Sequence, residues 1–284
     1  MIGFIGIGNM GYRMAVNLIH SGYSLKIHSK NMSSPNVKNL VEMGALPAYS
    51  PKQVAESCEF VFLSLPSAEA TKQVVLGVDG LVHGLEENSV VIETSTVPPS
   101  IVKEIAAELS VRRIELLDAP VSGGIAKAEK GELTIMVGGK HHVYQRCLPL
   151  LKTIGKNIYY VGKLGSGEVV KLLNSMMAIS ALVMAREACI ASLNLGIDFK
   201  LFHEIISNST GSSWMWTNWI PIIMGNQEVK STVKIALKDL KYARDLLSEL
   251  SLETSVIDSL ISRLLQLAAD RDSDLSAIFT HASR

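Results

Sequence analysis

The 284-residue chain has no net formal charge, with 27 lysines and arginines against 27 aspartates and glutamates. That balance sets up no global field toward nucleic acid or an anionic membrane, so neither is expected as a partner. Cysteine is scarce: Cys58, Cys147 and Cys189 are odd in number, far apart and without metal-ligand spacing. They fit reduced thiols of a cytoplasmic protein and give no support for a disulfide framework. No His/Asp/Glu cluster has ligand spacing, so no metal is expected. The most apolar stretch, Leu172 to Ala185, stays uncharged for about 14 residues, short of the roughly 20 that a spanning helix needs. Lys171 before it and Arg186-Glu187 after it argue further for a soluble protein. With the first strand-like run at residue 2, no signal peptide is expected, and neither repeats nor low-complexity segments are found. One absence is local: no acidic residue occurs before Glu42.

Against these absences, 48% of the residues are hydrophobic and 19% charged, the composition of a globular chain long enough for two domains. It opens on the apolar run Ile2-Gly3-Phe4-Ile5, followed at once by Gly6-Ile7-Gly8-Asn9-Met10-Gly11 and the helical pattern Met14, Leu18, Ile19. A strand, a G-x-G-x-x-G turn and a helix form the context of a dinucleotide site. The first glycine makes the turn, the second admits a pyrophosphate to the backbone, and the third lets helix pack on strand. A cofactor with a free ribose 2′-OH meets an acid about 20 residues on. Here Ser24-Leu25-Lys26-Ile27 runs instead into His28-Ser29-Lys30-Asn31. A carboxylate would repel a 2′-phosphate, whereas Ser29, Lys30 and Asn31 can bind one, so NADP(H) is expected over NAD(H). Lys30 equally fits a solvated loop cation.

Strand-like runs at Ile2–Ile5, Leu25–His28, Glu59–Leu65, Val90–Thr94 and Ile114–Asp118 alternate with helical patterns, which predicts a parallel sheet covered on both faces. Leu133–Val137 and Ile158–Val161 extend it. After Gly162 the strand signals stop, and a helix is expected over Glu168–Asn194. It is apolar around most of its circumference and expected to be buried nearly all round by a second domain or a partner subunit. The remainder reads as helices, with a polar end from Asp270. The fold class is therefore α/β: a Rossmann-type doubly wound parallel sheet over residues 1–163, then an all-helical domain over 164–284.

Ser122-Gly123-Gly124 follows a strand, at the edge where open α/β sheets bind ligands. A hydroxyl and two glycines there present donors to a carboxylate without Cβ obstruction. Lys171 stands one turn into the long apolar helix, at the wrong end for the helix dipole and in surroundings that favour a lowered pKa. It also fits a snorkelling lysine.

Taken in order, Gly6–Gly11 with Met14-Ala15-Val16-Asn17-Leu18, Glu93-Thr94-Ser95-Thr96, Asp118-Ala119-Pro120-Val121-Ser122-Gly123-Gly124, Gly165-Ser166-Gly167-x₃-Lys171-x₂-Asn174 and Lys238-Asp239-Leu240 resemble the β-hydroxyacid dehydrogenase family across essentially the whole chain. The resemblance implies that Ser122, Gly123 and Gly124 hold the carboxylate of a small substrate. Lys171 would be the general acid/base, giving a proton to the developing alkoxide in reduction and taking the hydroxyl proton in oxidation. Asn174 and Ser175 share its helix face; the family usually has Asn at the second position, so Ser175 is a departure. The resemblance places Gly6, Ile7, Gly8, Asn9, Met10, Leu65, Pro66 and Thr96 at the cofactor, Lys238 closing over it, and Trp214 at the substrate. Thr96 equally fits a helix N-cap before Pro98-Pro99, Lys238 a solvated charge, and Trp214 core packing. A site in the cleft between domains and a homodimer or dimer of dimers paired through the helical domain complete what is implied. The expected reaction interconverts a small β-hydroxy carboxylate and its semialdehyde with NADP(H), NAD(H) being possible. An imine reductase-like NADPH enzyme and a non-catalytic NADP-binding protein are the alternatives.

Overall fold

The structure, a computed structural model, describes residues 1–268, 270 and 272–283. The chain divides into two compact units, Met1–Lys171 and a second from Leu172 onwards. The first runs β1 (Ile2–Ile5), α1 (Asn9–His20), β2 (Leu25–His28), α2 (Pro35–Glu42), β3 (Leu46–Pro47), α3 (Pro51–Ala55), β4 (Phe60–Leu63) and α4 (Ala68–Leu76). It continues with β5 (Val90–Glu93), α5 (Pro99–Ser110), β6 (Glu115–Asp118), β7 (Val121–Ser122), α6 (Gly124–Glu129), β8 (Leu133–Gly138), α7 (His141–Ile154) and β9 (Gly155–Gly162). The helix α8 (Ser166–Asn194) carries the boundary between the units.

The sheet has the order β3-β2-β1-β4-β5-β6-β8-β7, with β9 paired to β8. β1 through β6 are parallel; β8 enters antiparallel to β6 and β7, and β9 returns parallel to β8. β1 and β5, in the middle of the sheet, are buried at every position, as a sheet between two helical layers requires, while β2 and β3 toward the edge are partly exposed. Phe4 stacks on Phe62 with ring centroids 5.7 Å apart. Met14 and Leu18 of α1, Leu40 of α2, and Val143, Cys147 and Leu151 of α7 join the same core with Ile27, Ile92 and Leu117. Each such side chain contributes about 1.5–3 kcal/mol by leaving water. The strand order reverses direction about β1: β2 lies on one side and β4 on the other, so a crevice opens at their carboxyl ends.

Among the described residues, the second unit is helical after α8: α9 (Phe199–Ser207), α10 (Trp214–Asn218), α11 (Ile220–Met224), α12 (Val233–Glu249), α13 (Ser255–Leu267) and a 3₁₀ segment, Leu275–Ser283. Within this chain α8 leaves Met177 and Met184 70% and 67% exposed, the face that needs cover from elsewhere. One expectation is corrected: the segment after Asp270 is not simply a polar end, since Leu275 and Ile278 are buried in this unit, and Ile278 O accepts from Arg186 Nε of α8. That buried arginine, with Arg263 bonded to Glu187, shows charges of the long helix answered by the same chain's other elements.

All three thiols are buried. Burial pushes Cys147 up to about 12 and Cys189 up to about 11, from an ordinary 9.0. None should react with a thiol reagent in the native protein at pH 8, and all three should react after denaturation. Because folded-state pKa values are raised, folding holds these protons more tightly than the unfolded chain does. The thiols' contribution to stability is therefore full below pH 9 and should fall as pH rises from there toward 12, measurable by chemical unfolding at stepped pH.

Candidate active site

The three motif glycines have three different physical reasons. Gly6 has φ +97, and a Cβ on it would lie 2.1 Å from Ser64 O and 3.1 Å from Leu65 Cδ2. The turn therefore presses directly onto the end of β4, which brings Leu65 to the glycine loop. A Cβ on Gly11 would lie 1.9 Å from Gly6 O, so only glycine lets α1 close on the strand. Gly8 is the opposite case: its φ is −81, its ψ −166, and a Cβ there would meet nothing within 4 Å. The space over Gly8 is open, at the N-terminus of a helix that no side chain caps and whose first turn holds no acid. That is the arrangement a pyrophosphate needs, an uncapped set of N–H groups with room in front.

The other cofactor positions gather at the same carboxyl edge. Gly6 N–H donates to His28 O of β2, and Asn36 at the start of α2 reaches Ile7 O at 3.4 Å. Ser29 is half-buried; Lys30 and Asn31 are exposed, and Asn31 Oδ1 accepts from Ser33 N–H within its own turn. Leu65 N–H donates to Ser95 Oγ at 2.7 Å, and Ser95 N–H to Glu93 Oε1 at 2.7 Å, tying the loops after β4 and β5 together. Thr96 is not a helix cap: the N-cap of α5 is Pro98, and no side chain caps that helix.

Around the Ser122 segment the decisive residue is Asp118, which ends β6. It is fully buried; its Oδ1 accepts from Gly165 N–H at 2.8 Å and its Oδ2 from Glu168 N–H at 3.0 Å. Burial pushes its carboxyl above the ordinary range, against the downward pull of these backbone bonds. Asp118 thus anchors the first turn of the helix bearing Lys171 to the strand that leads into Ser122. Glycine is required around it, since a Cβ on Gly138 would lie 2.4 Å from Asp118 Oδ1 and one on Gly167 3.0 Å from Oδ2. Ser122 is held by β7, where it pairs with Thr134, and the chain then turns through Gly123 (φ +135) and Gly124 (φ +69) into α6. An acid closing the apolar run Leu116-Leu117 was the available signal for Asp118; nothing in the sequence marked Asn36.

In the second unit Ser175 is buried and its hydroxyl donates to Asp239 Oδ2 at 2.9 Å. Its one proton is therefore committed to Asp239. Lys238 is no solvated charge: its side chain is 17% exposed, its Nζ lies 3.3 Å from Asp239 Oδ1 and 5.4 Å over the Tyr242 ring. Of the tryptophans, Trp216 is core, stacked on His203, whereas Trp214 is 43% exposed and edge-on to Trp219.

Residues 1–162 match the family described as the NAD-binding domain of 6-phosphogluconate dehydrogenase, and residues 165–281 that described as NAD-binding of NADP-dependent 3-hydroxyisobutyrate dehydrogenase. The mitochondrial 3-hydroxyisobutyrate dehydrogenase of Rattus norvegicus is 36% identical over 78% of this chain, which spans 65% of that protein's length. An L-threonate dehydrogenase of Cupriavidus necator is 32% identical over 86% of this chain and 82% of its own. The crystal structure of a 3-hydroxyisobutyrate dehydrogenase from Salmonella typhimurium superposes with a TM-score of 0.88 at 27% identity, covering 99% of each chain.

The contrast between glycines is testable. Gly11→Ala should lower the unfolding free energy by about 3 kcal/mol or more, because backbone cannot yield at that contact. Gly8→Ala should leave stability unchanged or raised by up to about 1 kcal/mol, yet weaken NADPH binding at least about tenfold. Denaturant melts and fluorescence titrations distinguish the two. Asp118→Ala strands two buried N–H groups and should cost about 3 kcal/mol by the same melts.

Proposed function

The chain belongs to the β-hydroxyacid dehydrogenase family, and from that premise we propose that it interconverts a small β-hydroxy carboxylate and its semialdehyde, with NADP(H) preferred. The observation that carries the reading is the buried Asp118 carboxylate, which ties the first turn of the helix bearing Lys171 to the strand that leads into Ser122. When bound, the nicotinamide supplies or accepts the hydride. Gly6, Ile7, Gly8, Asn9 and Met10 would hold its pyrophosphate, and Leu65, Pro66 and Thr96 the adjoining half. Ser29, Lys30 and Asn31 would take a 2′-phosphate, and the lack of any acid before Glu42 supports that preference.

The substrate's carboxylate is held by the Ser122 hydroxyl and the N–H groups of Gly123 and Gly124, which fixes its carbonyl or carbinol carbon. Lys171 then gives a proton to the developing alkoxide, or takes one from the hydroxyl in the reverse direction, with Asn174 beside it on the helix. Lys238 is held by Asp239 and Tyr242 within its own unit. Relatives named for hydroxyisobutyrate and threonate share the hydroxy-carboxylate element that this arrangement recognises. An imine substrate has no use for the Ser122 segment, and a purely binding protein has none for Lys171.

We also propose a homodimer through the helical unit. Met177 and Met184 present an apolar stripe along α8, and next to it Met176, Leu247, Val256 and Ile257 line a shallow groove of about 470 Å³. A second copy of the same face is the occupant whose composition matches.

Oxidation of NADPH and of NADH against a panel of small carboxylate aldehydes tests the chemistry. Turnover should be faster with NADPH and fall about 10²–10⁴-fold in Lys171→Ala with NADPH affinity unchanged. Lys30→Ala should lower kcat/KM with NADPH about tenfold and leave NADH unaffected. Binding of NADPH without turnover of any aldehyde would overturn the reading. Light scattering should give twice the chain mass, and Met177→Glu with Met184→Glu should give the monomer.

A further inference from the structure

α6 begins on the glycine pair that closes the Ser122 segment and is only six residues long, yet it is held firmly. Asn17 Nδ2 donates to Ala128 O at 2.7 Å, Arg13 Nε bonds Glu129 Oε1 at 2.8 Å, and Glu132 N–H donates to Lys127 O at 2.9 Å. α6 is thereby fixed to α1, the helix of the glycine loop. The residue these bonds surround is Lys127.

Its side chain does not run out to solvent. A Cβ on Gly123 would lie 2.8 Å from Lys127 Cδ, 2.9 Å from its Cβ and 3.3 Å from its Cγ, so the stem lies flat along the Gly123 backbone. The ammonium is two bonds beyond that Cδ, next to the segment assigned the carboxylate. Lys127 is half-buried and has no ion pair or hydrogen bond through its ammonium to any described residue. The nearest acid in sequence, Glu129, is taken by Arg13. A lysine serving only the C-terminal dipole of so short a helix would not need its stem laid over a backbone glycine.

We propose that Lys127 reads a second negative charge on the substrate, which makes the substrate class a hydroxy acid with two carboxylates. The inference rests on Ser122, Gly123 and Gly124 as the carboxylate site. There the hydroxyl and two N–H groups already engage most of one carboxylate's acceptor sites, so a further ammonium is surplus for a monoanion. For a dianion it supplies a charge-assisted bond to the second group.

Calorimetry on the protein saturated with NADP⁺, with malonate and propionate as probes, tests this. Wild type should bind malonate at least about tenfold tighter than propionate. Lys127→Gln, which keeps the stem, should lose that preference, with propionate affinity changed by less than about twofold. Lys127→Arg should retain it, and NADP⁺ affinity should not move in either variant. Equal affinity for the two probes in wild type, or losses for both in Lys127→Gln, would overturn the role of Lys127. Ser122→Ala separates the premise: if it leaves both affinities intact, the carboxylate site itself is wrong. If wild type binds neither probe, both readings fall together.

Discussion

A single carboxylate with both oxygens spent on backbone N–H groups is the constraint on which the catalytic half of the first unit depends. Asp118 sits where β6 ends, and the polypeptide has two things to place from there: the turn through Ser122 and the start of α8. Because Asp118 bonds Gly165 and Glu168, the helix cannot rotate or slide without breaking two charge-assisted bonds, each worth about 1.5–3 kcal/mol. The close approach explains composition that otherwise looks arbitrary. Gly138 is a glycine because Asp118 occupies the space its side chain would fill, and Gly167 because Met136 O and Asp118 together do.

The same helix end resolves an electrostatic oddity. Lys171 lies in the second turn, where the positive end of the macrodipole repels it. Asp118 accepts from the first N–H groups of that helix and so answers the donors of its opening turn. The lysine's position is unfavourable only when the helix is considered alone.

The sheet was legible from the sequence wherever apolar runs alternated with helical periods, and β1 and β2 were legible to the residue. The parts that escaped have physical reasons. β7 is two residues long and α6 six, both inside a glycine-rich segment whose composition reads as a turn. β8 was legible as a strand but not as antiparallel, since direction is set by the short β7 return and not by any residue of β8 itself. The glycine loop was legible in type, but its division of labour was not. That Gly11 answers to Gly6 O while Gly8 answers to nothing in the protein is decided by the fold and not by the motif. Side-chain partners were the least legible. No spacing rule connects Asp118 to Gly165, 47 positions on, or Ser175 to Asp239, 64 positions on.

Ser175 shows why a departure from a family pattern cannot be judged one position at a time. As a shorter side chain in place of an amide it reads as a lost contact to substrate. In the fold its proton goes to Asp239 Oδ2, while Asp239 Oδ1 faces Lys238, whose ammonium in turn lies over the Tyr242 ring. Serine at 175 therefore supports the orientation of the Lys238 carboxylate partner and contributes no donor of its own to a ligand. Asn174 is left as the amide of this helix face. The cation whose stem lies along the Gly123 backbone is Lys127.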